Sequence, residues 1–318
     1  MIRKLIRALP LSVALAAAGT ALTLPAAQAA DAAKATSAKG AEAAFPTADA
    51  LFDALAQAAK ANDSKALVGL LGKDGDKLVN SGDKVMDKQR AESFAASYAT
   101  KHSVKMDGDA KATLSVGNDD WPLPIPAVKG PRGWTLDTVA GAREILARRI
   151  GQNELSAIQV VRAVVDAQYD YSNEDRDKDG LRDYASKFIS TKGKKDGLYW
   201  PTKEGEPPSP LGPLVGEAAA QGYSGKDGPP PYHGYYFRML TAQGKDAPGG
   251  ARNYVVRGRM LAGFAVVAYP ATYGNSGIMT FMANQDGIVY EKDLGDNTTA
   301  AAKALKAYNP DKSWTAVK

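Results

Sequence analysis

The 318-residue sequence contains no cysteine. That absence removes disulfides, thiol nucleophiles and thiolate metal sites together, so stability must come from burial of apolar surface. Histidine is almost as scarce: His102 and His233 are the two present, and they are not at zinc-binding spacing. A serine triad would need one of them. Yet no Gly-x-Ser-x-Gly elbow occurs, and Gly274-Asn-Ser276-Gly277 falls one residue short of it. Dense basic patches interleaved with aromatics are missing too, which argues against a nucleic-acid partner. Beyond Leu24 no apolar run approaches the ~20 residues that a membrane-spanning helix needs.

What the N-terminus does contain is an export signal. Arg3, Lys4 and Arg7 precede an apolar stretch from Ala8 to Leu24, and Ala27-Gln28-Ala29 supplies a small-x-small cleavage site. The sequence therefore predicts a signal peptide over 1–29, a mature chain beginning at Ala30, and a periplasmic or secreted location. With no cysteine after the apolar stretch there is no lipid attachment, and with no twin arginine the general export route is expected. Removing the three basic residues of the peptide from the 40 in the chain leaves 37 against 35 acids, a net charge of +2. Residues 30–44, mostly Ala, Lys, Ser, Thr and Gly, read as a disordered leader.

The 289 residues after position 29 suffice for one large domain or two ordinary ones. Thr47 is a candidate N-cap for a helix with Leu51, Phe52 and Leu55 on one face, and two more short helices are expected over 65–71 and 86–98. The period then drops to two. Thr113–Val116 and Trp121–Val128 read as strands, the second an edge strand because Pro122, Pro124 and Pro126 share one side of it. A turn at 129–133 returns the chain as a hairpin partner over 134–139. A short helix over 142–150, interrupted at Gly151-Gln152-Asn153, precedes a longer one from Glu154 to about Tyr171, with Leu155, Ile158, Val161, Val165 and Tyr169 on its buried stripe. Strands follow at 235–240, 253–256, 264–269, 278–282 and 288–290. The expected class is α+β: a helical and hairpin-rich domain over 45–141, a connecting segment over 142–153, and a helix on a second antiparallel sheet over 154–318.

Four constellations could carry chemistry. Asp175-Arg-Asp177-Lys-Asp179-Gly180-Leu181-Arg-Asp183 places carboxylates at loop positions 1, 3, 5 and 9, with glycine at 6 and the Leu181 carbonyl at 7, a pattern suited to structural calcium. Ser186 stands where an EF-hand has its bidentate glutamate, so the loop is not an EF-hand, and a solvated acidic turn is the alternative. His233, in Pro229-Pro-Pro-Tyr-His-Gly-Tyr-Tyr, is a binding or general-base candidate against the plain reading of a loop histidine. Ser81-Gly-Asp-Lys84 matches a Ser-x-x-Lys pattern without its companion boxes, and a turn is the expectation there. Trp121, Trp134, Tyr199 and Trp200 could line a binding pocket or fill the core.

Long runs also carry a family resemblance. Asp119-Asp-Trp-Pro122, Glu144 to Asn153, Gly197-Leu-Tyr-Trp-Pro201, Tyr232-His-Gly-Tyr-Tyr-Phe-Arg238 and Val289-Tyr-Glu-Lys-Asp-Leu-Gly295 identify the chain as resembling the bacterial exported family catalogued as domain of unknown function 2950. The resemblance implies export and no assigned activity; Asp183 departs from the glutamate it leads one to expect. In layout alone, the first half resembles the nuclear transport factor two cone, and the second a pseudopilin head without its apolar stem. Two functions remain open at this point. One is a non-catalytic binding or assembly module for an envelope protein or polymer; the other is a periplasmic hydrolase using carboxylates or His233 in an aromatic cleft.

Overall fold

The computed structural model describes residues 44–176, 178–223 and 230–318. The expected signal peptide, the leader up to residue 43 and the candidate ligand Asp177 lie outside the described residues. The described part is α+β, as the periodicities predict. It holds two hydrophobic clusters within a single packed unit.

The first cluster forms because four helices and a sheet each bury one apolar face. Helix α1 (Ala48–Lys60) starts where the Thr47 side chain accepts the Ala50 amide, and it buries Leu51, Phe52 and Leu55. Asp63 and Asp83 cap α2 (Ser64–Leu71) and α4 (Lys84–Thr100) in the same way, with the short α3 (Gly75–Val79) between them. Strands β1 (His102–Asp107), β2 (Lys111–Val116), β3 (Trp121–Pro122), β4 (Ala127–Gly130) and β5 (Gly133–Leu136) form an antiparallel sheet in the order β1-β2-β4-β5, with β3 also paired to β2. The single strand expected over Trp121–Val128 is thus two short ones. Prolines at 122, 124 and 126 withhold the amides that would continue the ladder through Leu123–Pro126.

One helix, α5 (Thr138–Ser172, 35 residues), then runs through the expected interruption. Gly151 has open space around it, so it adds only the entropic penalty of about 1 kcal/mol that a glycine imposes on a helix. Asn153 does not cap a new helix either: it is 2 % exposed, and its side chain bonds across to other elements. The register also corrects the expected stripe. Leu155 is 66 % and Tyr169 43 % exposed, whereas Ala157, Val161 and Val164 are fully buried.

The second cluster lies under that buried stripe. Strands β6 (Tyr235–Leu240), β11 (Ala265–Pro270), β12 (Met279–Asn284), β13 (Tyr290–Asp293) and β14 (Thr315–Ala316) form an antiparallel sheet ordered β14-β13-β12-β11-β6. β11 is buried along its whole length and touches both α5 and α7 (Thr298–Ala304). The short pairs β7 (Ala242–Gln243) with β8 (Arg252–Asn253), and β9 (Val255–Val256) with β10 (Arg259–Met260), form two separate two-stranded sheets. The nine-residue helix α6 (Gly212–Ala220), with Pro213 in its first turn, follows the proline-rich segment 201–210.

Candidate functional site

Residues 187–216 form a cleft by backbone pairing outside any long strand. The Leu198 and Tyr199 amides donate to the Lys187 and Phe188 carbonyls at 3.1 and 2.8 Å, and the Ser190 amide donates to the Tyr199 carbonyl at 2.8 Å. Leu211 closes the other wall, its amide donating to the Leu198 carbonyl at 2.9 Å. Between the walls is a space of about 400 Å³ lined by Tyr199, Trp200, Pro201, Pro208, Ser209 and Pro213, with Thr202 and two glycines completing it. No carboxylate, histidine, lysine or arginine belongs to that lining. Ser209 is 2 % exposed and its hydroxyl has no hydrogen-bond partner among the described residues, a state that costs about 1–3 kcal/mol in a protein interior. Trp200 is buried beneath two cations: the Arg176 guanidinium lies 5.0 Å from its ring centroid and the Lys195 ammonium 5.4 Å.

The chemistry-bearing residues gather elsewhere, where the two hydrophobic clusters meet. The Ser81-Gly-Asp83 turn enters that junction from the first half. The Asp83 carboxylate accepts from the Met86 amide at 3.1 Å, the Tyr223 hydroxyl at 2.7 Å and the Gly234 amide at 2.9 Å. Arg149 of α5 donates to the Lys77 carbonyl at 2.9 Å, to the Asn275 side chain at 2.6 Å and to the Leu78 carbonyl. Asn275 in turn donates to the Asn80 carbonyl at 3.0 Å. Asn153 accepts from Arg90 at 3.0 Å and donates to the Ser276 carbonyl at 2.8 Å. Glu154 accepts the Ile278 and Met279 amides at 2.9 and 3.0 Å. Burial raises the Asp87 carboxyl above the usual carboxylate range despite the Ser81, Arg149 and Arg90 groups that oppose it. Burial likewise pulls the Arg149 guanidinium down to about 10, with Arg90 adding repulsion.

His233 is part of this junction, and its backbone explains its presence. Tyr232 and Tyr235 exchange backbone hydrogen bonds at 2.8 and 3.1 Å, so His233 and Gly234 are the two central residues of a tight hairpin turn. Both have positive φ, 48° and 75°, the left-handed values that a type I′ turn requires. The His233 amide donates to the Tyr223 hydroxyl at 3.3 Å, and its ring lies 4.2 Å from that of Tyr232. Burial lowers its pKa. The hydroxyls of the two nearby serines are engaged in their own turns: Ser81 accepts the Asp83 amide at 3.3 Å, and Ser276 accepts the Thr272 amide at 2.9 Å.

The tryptophans do not converge. Trp134 is in the first hydrophobic cluster, paired through its backbone to Phe45 at 2.8 and 2.9 Å. Trp121 is 40 % exposed with the Arg148 guanidinium 5.5 Å from its ring. Trp200, with Tyr199, is in the cleft. The acidic loop is closed by internal bonds. Asp175 accepts the Asp179 and Gly180 amides at 3.2 and 2.8 Å, and Asp179 accepts the Leu181 amide at 3.0 Å. Arg259 pairs with Asp179 and, at 3.0 Å, with Asp183. Among the described residues no three acids or histidines are grouped as metal ligands are, and Asp177 is outside that set.

Sequence reasoning missed Arg90, Arg149, Asn153, Tyr223 and Ser209. Arg149 and Asn153 did leave a signal: they are polar residues four apart on a helix, with Ala157 and Val161 continuing the same buried face.

The family model described as "Protein of unknown function (DUF2950)" matches residues 42–317. No curated protein and no solved structure matches the chain, so the cone-like and pilin-head likenesses rest on layout alone.

Proposed function

From a chain that belongs to that family, whose description assigns no function, we propose an exported cell-envelope protein that acts by binding, through the cleft at Tyr199–Gly216. One observation carries this: the cleft lining has hydroxyls and apolar rings but no carboxylate, histidine or amine. A serine or threonine there has no general base within the lining, and covalent hydrolysis needs one. The Asp83 carboxylate is engaged at the junction by the Gly234 amide and the Tyr223 hydroxyl, and the His233 ring lies against Tyr232 outside the cleft lining. Among the described residues no helix is long and apolar enough to cross a membrane. Export rests on the N-terminal signal pattern alone, and the partner is an envelope protein or polymer.

The test joins two measurements on full-length protein expressed in a bacterium. Crosslinking in the intact envelope should capture a partner from wild type and lose it with Tyr199→Ala. A panel of ester, peptide, β-lactam and glycoside substrates should show no turnover. Turnover that disappears in His233→Ala would overturn the binding function, and a retained Met1 by intact mass would overturn export.

A further inference from the structure

We infer that the cleft accepts a carboxylate-bearing sugar unit of an acidic glycan; this rests on the binding function proposed above and names its ligand. Size comes first. A space of about 400 Å³ is within the range of small-ligand pockets and has room for one to about two sugar units. The walls suit one. Pro201, Pro208, Pro213 and the half-exposed Tyr199 give apolar surface for the C–H face of a pyranose, while Thr202 and Ser209 give hydroxyls for its own. Ser209 is the sharper of the two, because its buried oxygen has no protein partner.

Charge decides the class. The Lys195 ammonium is held over the Trp200 ring, and it makes no ion pair among the described residues. Lys192 and Lys194, in the same exposed loop, make none either. The acids beside them are already offset: Asp196 pairs with Lys187 at 2.9 Å, and Glu174 with Arg176 at 2.9 Å. An incoming carboxylate would meet the Lys195 ammonium beside Trp200, one of the lining residues. A peptide fits less well. The three lining prolines have no N–H to pair with an extended backbone, and Trp200, 7 % exposed beneath its cations, presents no free face to a proline-rich ligand.

Calorimetric titration of the full-length chain with tetragalacturonate tests this, with cellotetraose as the neutral counterpart and a proline-rich decapeptide as the protein surrogate. The expected result is binding of tetragalacturonate that weakens with added salt, no binding of cellotetraose, and a loss of about fivefold or more in Lys195→Met. Lys195 is exposed, so that variant should fold normally; Tyr199→Ala is read only if its melting temperature is unchanged. No binding of tetragalacturonate, or equal binding by wild type and Lys195→Met, would overturn the ligand class. Binding of the decapeptide instead, lost in Tyr199→Ala, would overturn the glycan while leaving the binding function intact. A cleft that takes neither, in a protein that turns over a substrate, would sink both.

Discussion

The junction and the cleft are built from opposite materials. At the junction, buried charges and amides from both halves of the chain bond one another: Arg149 alone holds two carbonyls of the first half and a side chain of the second, with its Nε left unpartnered among the described residues. At the cleft, apolar rings and prolines surround a hydroxyl that nothing satisfies. The Asp83 carboxylate and the buried Arg149 are therefore bonded across the junction, and the open space is lined by residues that do no acid–base chemistry. A buried, mutually bonded polar network rigidifies; an open cleft with an unsatisfied donor is available for a ligand.

The sharpest way to break that contrast is Arg149→Met. It removes a guanidinium that is 5 % exposed and leaves the Lys77 and Leu78 carbonyls without their donor. Leaving two buried carbonyls unsatisfied costs about 1–3 kcal/mol each. The urea midpoint should fall accordingly, while any surviving folded protein keeps its cleft. A loss below about 1 kcal/mol would mean that the junction does not hold the halves together.

A milder test uses pH. The folded-state pKa of Asp87 is raised by burial, so the folded protein binds its proton more tightly than the unfolded chain does. Stability contributed by this group therefore falls as pH rises through the folded pKa, and is recovered as pH drops toward the ordinary carboxylate value. Asp87→Asn should flatten that part of the urea-midpoint profile. A profile identical to wild type between pH 4 and 7 would show the carboxylate to be solvated.

The acidic loop supplies a smaller effect. Arg259 compensates Asp179 and Asp183 with partly exposed side chains, so Arg259→Gln should lower stability by only about 1 kcal/mol. Calcium is the ion proposed for this loop, and it would compete with the guanidinium for the same two carboxylates. Added calcium should raise the melting temperature of Arg259→Gln by more than that of wild type; indifference of both to calcium and to chelator leaves the acidic turn closed by Arg259.

Much of the fold was legible because it follows from local rules. Thr47, Asp63 and Asp83 cap helices as their residue types predict, although the Asp83 helix was expected to begin two residues later. The strand at Tyr235–Leu240 lies where alternation and flanking turns put it. The candidate site was less legible. Ser81, His233 and Ser276 were each weighed alone, since nothing in a linear pattern says that residues 83, 149, 234 and 275 meet. Side-chain bonds spanning more than a hundred positions, such as Asp83 to Gly234 and Arg149 to Asn275, leave no local trace. The cleft was half legible: Tyr199 and Trp200 are pocket candidates by residue type, but the lack of titratable groups is a property of the folded lining.

The smallest expected effect distinguishes the two readings of α5. A helix restarted at Asn153 would put Leu155 on the apolar stripe, and Leu155→Gln would then cost about 2–5 kcal/mol, as other core truncations do. In the continuous helix the buried face passes instead through Asn153, Ala157, Val161 and Val164, and Leu155 points to solvent at 66 % exposure. Leucine and glutamine have similar helix propensities, so the exposed substitution should change stability by less than about 0.5 kcal/mol. Val161→Ala, at a fully buried position on the same helix, is the control and should cost about 2 kcal/mol or more from lost burial and the cavity left behind. The two variants measured side by side in urea fix the helix register. Equal losses in both would restore the interrupted helix and move the junction residues Arg149 and Asn153 off the buried face.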